Sequence, residues 1–245
     1  MHFSHHPAIW QDHPELAAGV LHAMRIRPDV AAEALVARHE ATARARLAEA
    51  GTESELPEVQ AWRRTFSRMG LKPTQYRCAS ESLLRRFRKE GAMPRIHPLI
   101  DVCNAISMAS GIPVAVLDVE RIGGWLQVRP AEGTERYLTF GGEIERPEPG
   151  EVTFADAEGN AHARRWTNRQ SGLSAVREGT REVLVVVEGV HATAAADVPK
   201  VVEAIGEALR ELWGVQARSA MLTADAPKFE FEEAFSSAAR AAASS

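Results

Sequence analysis

Residues 98–117 restrict the fold more than any other stretch, because an apolar helical run stops at Gly111-Ile-Pro113 and restarts at once as a strand. Leu99, Ile100, Val102, Ile106 and Met108 predict a helix over 99–110. Gly111 and Pro113 forbid its continuation, and Val114–Leu117 reads as a short buried strand. Asp101 and Asn104, three residues apart, fall on one helix face. A carboxylate and a carboxamide beside such a turn are costly unless they are hydrogen-bonded. They either brace the turn from within or serve a site.

The rest of the chain divides into a helical first half and a strand-rich second half. Asp12-His-Pro-Glu15 predicts a helix start, with Leu16, Val20, Leu21 and Met24 at helical spacing behind it. Asp29 opens a long Ala/Arg/Glu-rich helix to about Ala50. Further helices are expected over 62–70, over 81–87 with Ser80 as N-cap, and over 198–213. Strands are expected at 114–117, 124–128, 136–140, 152–155, 161–166 and 183–187, with Gly123-Gly124 and Gly141-Gly142 marking tight turns. Helices, then strands, then a closing helix predict an α+β fold rather than a doubly wound parallel sheet. The expected division is an N-terminal helical region (1–60), a core (61–190), a closing helix and C-terminal segment (191–234), and a disordered tail (235–245).

Composition narrows the function classes. A formal net charge of −4 argues against bulk electrostatic coating of nucleic acid. The stretch from Trp62 to Arg95 is nevertheless locally basic, with Arg85, Arg86, Arg88 and Lys89 clustered in and just after one predicted helix. It reads as a confined anion-binding face or as an ordinary solvated one. Two cysteines make no disulfide framework, and residues 1–7 lack a secretory pattern, so a reduced cytoplasmic compartment is expected. No apolar run reaches membrane-spanning length, and no membrane partner is expected. His2, His5 and His6 fall in a terminus expected to be flexible. The remaining histidines show no zinc spacing, so neither metal nor cofactor is expected.

Several residues carry candidate chemistry. Arg77 is the preferred phosphate or carboxylate binder, while Ser80 and Glu81 fit helix capping. Arg164-Arg-Trp-Thr-Asn-Arg-Gln170 mixes cations, an indole and carboxamides. Trp166, Asn168, Arg169 and Gln170 could stack a base and read hydrogen-bonding edges, or form an edge strand around one buried Trp. Cys103 reads as a small buried hydrophobe or pocket wall rather than a nucleophile. Glu188, at the end of the 183–187 strand, could orient a water.

These pieces, in order, resemble the B3/B4 domain, the editing and tRNA-contacting module of the phenylalanyl-tRNA synthetase beta subunit, which also occurs free-standing. The resemblance runs over about 60–190. It rests on Trp62-x3-Phe66, Gly70-Leu-Lys-Pro73, Tyr76 to Arg86, Asp101-Val-Cys-Asn104, Pro113-x4-Asp118, Arg164 to Ser171, and Glu182 to Glu188. It implies a mixed, sandwich-like β core flanked by helices. It also implies a trans-acting hydrolase for the ester of mischarged tRNA, and a monomer without cofactor is expected. Asp101, Asn104 and Glu188 would be catalytic, and Arg77, Ser80, Glu81, Cys103, Ala115, Asp118, Trp166, Asn168, Arg169 and Gln170 would surround the aminoacyl group. Arg85, Arg86, Arg88 and Lys89 would meet the RNA. The chain departs from the synthetase form at Cys103, where that form has Thr, and at Ala115, where it has His. Trp166 to Ser171 replaces its double-glycine loop. Without that His, water attack directed by positioned polar groups is expected, and a less polar pocket suits an apolar amino acid. The alternative is a module that binds tRNA or a small amino-acid-like ligand without turnover. One cleft holding Asp101, Asn104, Asp118 and the 166–170 strip is the expectation that a structure tests.

Overall fold

A computed structural model describes residues 1–232. In chain order the elements are β1 (His2–His5), α1 (Pro7–Asp12), β2 (Ala17–Met24), α2 (Glu33–Ala50), α3 (Pro57–Arg68), α4 (Ala79–Glu90) and α5 (Pro98–Ser110). There follow β3 (Val114–Asp118), β4 (Leu126–Pro130), β5 (Arg136–Leu138), β6 (Ile144–Glu145), β7 (Val152–Asp156), β8 (Asn160–Arg164), β9 (Arg169–Gln170) and β10 (Glu182–Gly189). The last are α6 (Ala194–Trp213), β11 (Arg218–Leu222) and β12 (Lys228–Glu230). This is the expected α+β architecture. The expected tail, 235–245, lies outside the described residues.

Two sheets form the β core. The smaller has the order β11-β2-β10-β3, and the larger runs β12-β1-β4-β7-β8-β5-β6, with β9 paired to β8. β10 explains why both are needed. All eight of its residues are buried, so its side chains alternate between two dry faces. Val183, Val185 and Val187 join α5 and α6 in one core cluster, while Leu184 and Val186 join Phe3, Val128 and Phe154 of the larger sheet in another. A third cluster binds α2, α3, α4 and α5 through Leu47, Val59, Leu84, Phe87 and Met108. Gly19 on β2 lets α6 approach, since a Cβ there would overlap the Val202 side chain.

The N-terminal region differs from expectation. Leu16 to Met24 is not helical: 17–24 form β2, paired on both sides by β10 and β11. Every residue of β2 except Met24 is buried, which hides the period-two signal behind a continuous apolar run. Nor are His2 and His5 in a loose terminus, because β1 pairs in parallel with β4 and antiparallel with β12. The turn after α5 is held by Gly111 at φ +76° and by Ser107, whose Oγ donates to Ile112 O at 2.6 Å. Asp101 instead braces the helix entry, with Oδ1 accepting from Ile96 N at 2.9 Å. His97 caps the same helix, Nδ1 accepting from Leu99 N at 3.2 Å. Ser80 is not the N-cap of α4; Cys78 occupies that position without a side-chain cap.

Burial, above all, lowers the pKa of His13, His39 and His97 below the usual 6.5, with Arg68 adding to the effect at His13. Below pH 6.5 the unfolded chain therefore binds more protons than the folded one, so stability holds above that pH and falls as pH drops through the window beneath it. The melting temperature should be lower at pH 5.5 than at pH 7.5, with the gap narrowed in a His13→Gln/His97→Gln variant. An equal or higher value at pH 5.5 would contradict this assignment.

Candidate functional site

A cavity of about 60 Å³ opens where β3, at the edge of the smaller sheet, meets β7, β8 and β9 of the larger. Val114, Leu117, Phe154 and Val186 give it an apolar wall. Glu188, His162 and the run Thr167 to Gln170 supply the polar side, and Trp166 lines it as well.

Glu188 is held by two donors from separate elements. His5 Nε2 lies 2.7 Å from Glu188 Oε1, and Trp166 Nε1 donates to the same oxygen at 2.9 Å. All three residues are buried. His5 Nδ1 has no hydrogen-bond partner among the described residues. With Nε2 as the donor to Glu188, the tautomer lacking a proton on Nδ1 leaves only a lone pair unsatisfied there. Glu188 Oε2 has no partner among the described residues and is the oxygen left for a water. Thr167 Oγ1 is also buried without a partner, and Thr167 lines the same cavity.

Trp166 is fixed by its surroundings in an unusual backbone conformation. Arg165 and Trp166 have φ of +50° and +59°, a region that non-glycine residues enter at about 1–3 kcal/mol each. Trp166 N donates to Val152 O at 2.7 Å, and Arg165 N donates to Glu151 Oε1 at 3.0 Å. The indole is fully buried, edge-on to Trp62 at 5.0 Å and to His13 at 4.9 Å. Arg164 secures the approach to this turn through two bonds to Glu151, at 3.0 and 2.8 Å, and one to Glu145 at 2.7 Å.

His162 sits in a buried chain: Nδ1 is 2.9 Å from Ser174 Oγ, and Nε2 is 3.1 Å from Asp156 Oδ2. The order Ser, His, Asp invites a nucleophile reading, but Ser174 is fully buried and does not line the cavity. Asp156 also accepts from Gly123 N, Glu158 N and Asn160 N, so the chain ties the β7–β8 turn together. Those bonds from His162, Asn160 and the backbone outweigh burial and hold its carboxyl well below the usual carboxylate range.

Of the residues singled out in the sequence, Ala115, Trp166, Asn168, Arg169, Gln170 and Glu188 come together at the cavity. Asn168 Nδ2 donates to Arg77 O, and Gln170 Nε2 to Val116 O, both at 2.7 Å. Arg169 donates from Nε to Tyr137 Oη and from Nη2 to Glu145. Seven of the expected site residues, Arg77, Ser80, Glu81, Asp101, Cys103, Asn104 and Asp118, do not line this cavity. Asp101 is spent on the entry to α5. Cys103 belongs to the core between α5 and the smaller sheet, where burial pushes its thiol up to about 12. Asp118 accepts from Glu120 N and from Thr180 Oγ1, closing the end of β3. Asn104, on the same helix as Asp101, is half-buried.

The α4 residues also serve the fold. Glu81 is buried between Arg63, at 2.6 Å, and Arg77, at 3.4 Å, and Ser80 Oγ lies 3.3 Å from Cys78 Sγ. Arg85 and Arg88 both pair with Glu53, whose carboxylate is buried, while Arg86 pairs with Glu90. Lys89 is exposed. Arg88→Gln should therefore lower the melting temperature and leave the salt dependence of any RNA affinity unchanged. A shallower salt slope with unaltered melting would instead make Arg88 a phosphate contact. Among the described residues no group of three or more His, Cys, Asp or Glu could hold a metal, and no helix is long and apolar enough to cross a membrane.

His5 and His13 are not among the site residues expected from the sequence. Only the alternation of His2-Phe3-Ser4-His5 hinted at a strand, and nothing local signals a partner 183 residues away.

The B3/4 domain family profile matches residues 61–205. A 74-residue stretch, 30% of the chain, is 34% identical to the phenylalanine–tRNA ligase beta subunit of Cereibacter sphaeroides and corresponds to 9% of that protein. Among solved structures, an N-terminal fragment of the phenylalanyl-tRNA synthetase beta subunit from Pyrococcus horikoshii aligns with a TM-score of 0.47 and 12% identity. That alignment covers 88% of this chain and 49% of the fragment. The chain thus spans about half of that fragment and matches less than a tenth of the curated subunit. His5 and His13, which reach Glu188 and Trp166, lie outside the profile match.

Proposed function

The chain belongs to the B3/4 domain family, and from that premise we propose that it hydrolyses, in trans, the ester joining an amino acid to the 3′ end of tRNA. The reading rests on Glu188, a buried carboxylate at the wall of a small, largely apolar cavity, held by His5 and Trp166 with one oxygen to spare. The acyl group enters the cavity, and a water bound by Glu188 Oε2 attacks the ester carbonyl carbon. Glu188 takes the proton of that water as the C–O bond forms. When the tetrahedral intermediate collapses, the proton passes to the departing ribose oxygen. General base catalysis of this kind contributes about 10²–10⁴ in rate. Thr167 lines the same cavity with its Oγ1 otherwise unpartnered, and would donate to the developing oxyanion. An aminoacyl ester is already activated, so positioning and charge stabilisation suffice without a covalent intermediate.

Binding without turnover is the second reading. It is favoured by Ala115, which lines the cavity where the synthetase form has a histidine, so chemistry that needs that ring has no counterpart here. A panel of mischarged tRNAs separates the two. Release of amino acid from at least one member, above the spontaneous rate, supports the hydrolase. Saturable tRNA binding with no release across the panel supports the binding module.

A further inference from the structure

We propose that Trp166 sets the size of the acyl group this cavity accepts, limiting it to side chains about the size of alanine or serine; the proposal rests on the hydrolase reading above. An apolar cavity that binds benzene measures about 150 Å³. The space left here is about 60 Å³, too small for an aromatic ring and suited to one or two small groups. Trp166 is the bulkiest residue lining it, and its indole cannot move aside. The backbone N–H is bonded to Val152 O, the indole N–H to Glu188 Oε1, and Trp62 and His13 close on its ring. The positive φ at Trp166 means that glycine fits this backbone position without strain, so shortening the side chain opens the cavity while relieving the turn. A second, larger cavity of about 610 Å³ is lined by His13, whose ring packs on the indole, and by Arg165 and Val152.

The test compares alanyl-, valyl- and phenylalanyl-tRNA as substrates for the wild-type protein, Trp166→Phe and Trp166→Gly. Because the indole also bonds to Glu188, absolute rates will fall in both variants, and the ratio between substrates is the readout. Wild type should favour alanyl over phenylalanyl ester by about 100-fold or more in kcat/KM, as expected when a large group cannot enter at all. Trp166→Gly should shrink that ratio at least tenfold, and Trp166→Phe, which keeps most of the packing, should admit the valyl ester. An unchanged ratio in a folded variant, or equal wild-type turnover of alanyl and phenylalanyl esters, overturns the proposal. Binding of alaninamide and phenylalaninamide, measured by calorimetry on the same proteins, separates this inference from the hydrolase reading. If no ester is cleaved but alaninamide binds and phenylalaninamide binds only to Trp166→Gly, the size limit stands and the hydrolase reading falls. If wild type binds neither amide and cleaves no ester, both fall.

Discussion

Glu188→Gln should reduce ester hydrolysis by about 10²–10⁴ while leaving the fold intact. The substituted carboxamide keeps an oxygen that can accept from the Trp166 indole and from His5 Nε2, so the buried bonds at 2.9 and 2.7 Å survive. What it loses is the ability to take a proton from water. Glu188→Ala is the harsher change, since it strands the Trp166 indole N–H and the His5 donor in a dry interior. Each unsatisfied group costs about 1–3 kcal/mol, so this variant should lose stability as well as activity. The measurement is single-turnover deacylation alongside thermal unfolding. Full activity in Glu188→Gln would remove Glu188 from the chemistry.

Arg164→Ala should lower stability by about 3 kcal/mol, the largest effect expected from a residue outside the cavity lining. Arg164 is buried and carries the only two side-chain hydrogen bonds that Glu151 receives from a cation among the described residues. Removing it leaves Glu151 with a backbone donor, Arg165 N, and a distant Arg165 guanidinium at 3.9 Å. Glu145 is partly exposed and keeps Arg169, so it contributes less to the loss. The strained Arg165-Trp166 turn depends on this anchor, and urea unfolding should show the midpoint falling. A loss under about 0.5 kcal/mol would mean that the turn is held by Trp166 packing alone.

The sequence made most of the α+β architecture legible because its helices carry stop signals and its later strands are short and bounded. α5 and β3 could be read almost to the residue from Gly111 and Pro113. β2 could not, because a strand buried on both faces presents a run of apolar residues, and Leu16, Val20 and Leu21 also satisfy helical spacing. The site was half legible. Trp166 to Gln170 and Glu188 stood out by chemistry, and they meet. Asp101 and Asn104 stood out equally, yet the capping demand at the start of α5 absorbs Asp101, and no local pattern distinguishes a capping carboxylate from a catalytic one. Arg85 and Arg88 read as a free cationic face because Glu53, their partner, is more than thirty residues away in sequence.

A nonhydrolysable aminoacyl-adenosine, with an amide in place of the ester, tests the central claim most directly when its binding is mapped by backbone NMR. Titrating the alanyl form into the wild-type protein should shift the resonances of Val114 to Leu117, Thr167 to Gln170 and Glu188. Shifts confined instead to α4 or to the larger cavity around Arg68 and Tyr76, with Glu188 and its neighbours unmoved, would contradict the account.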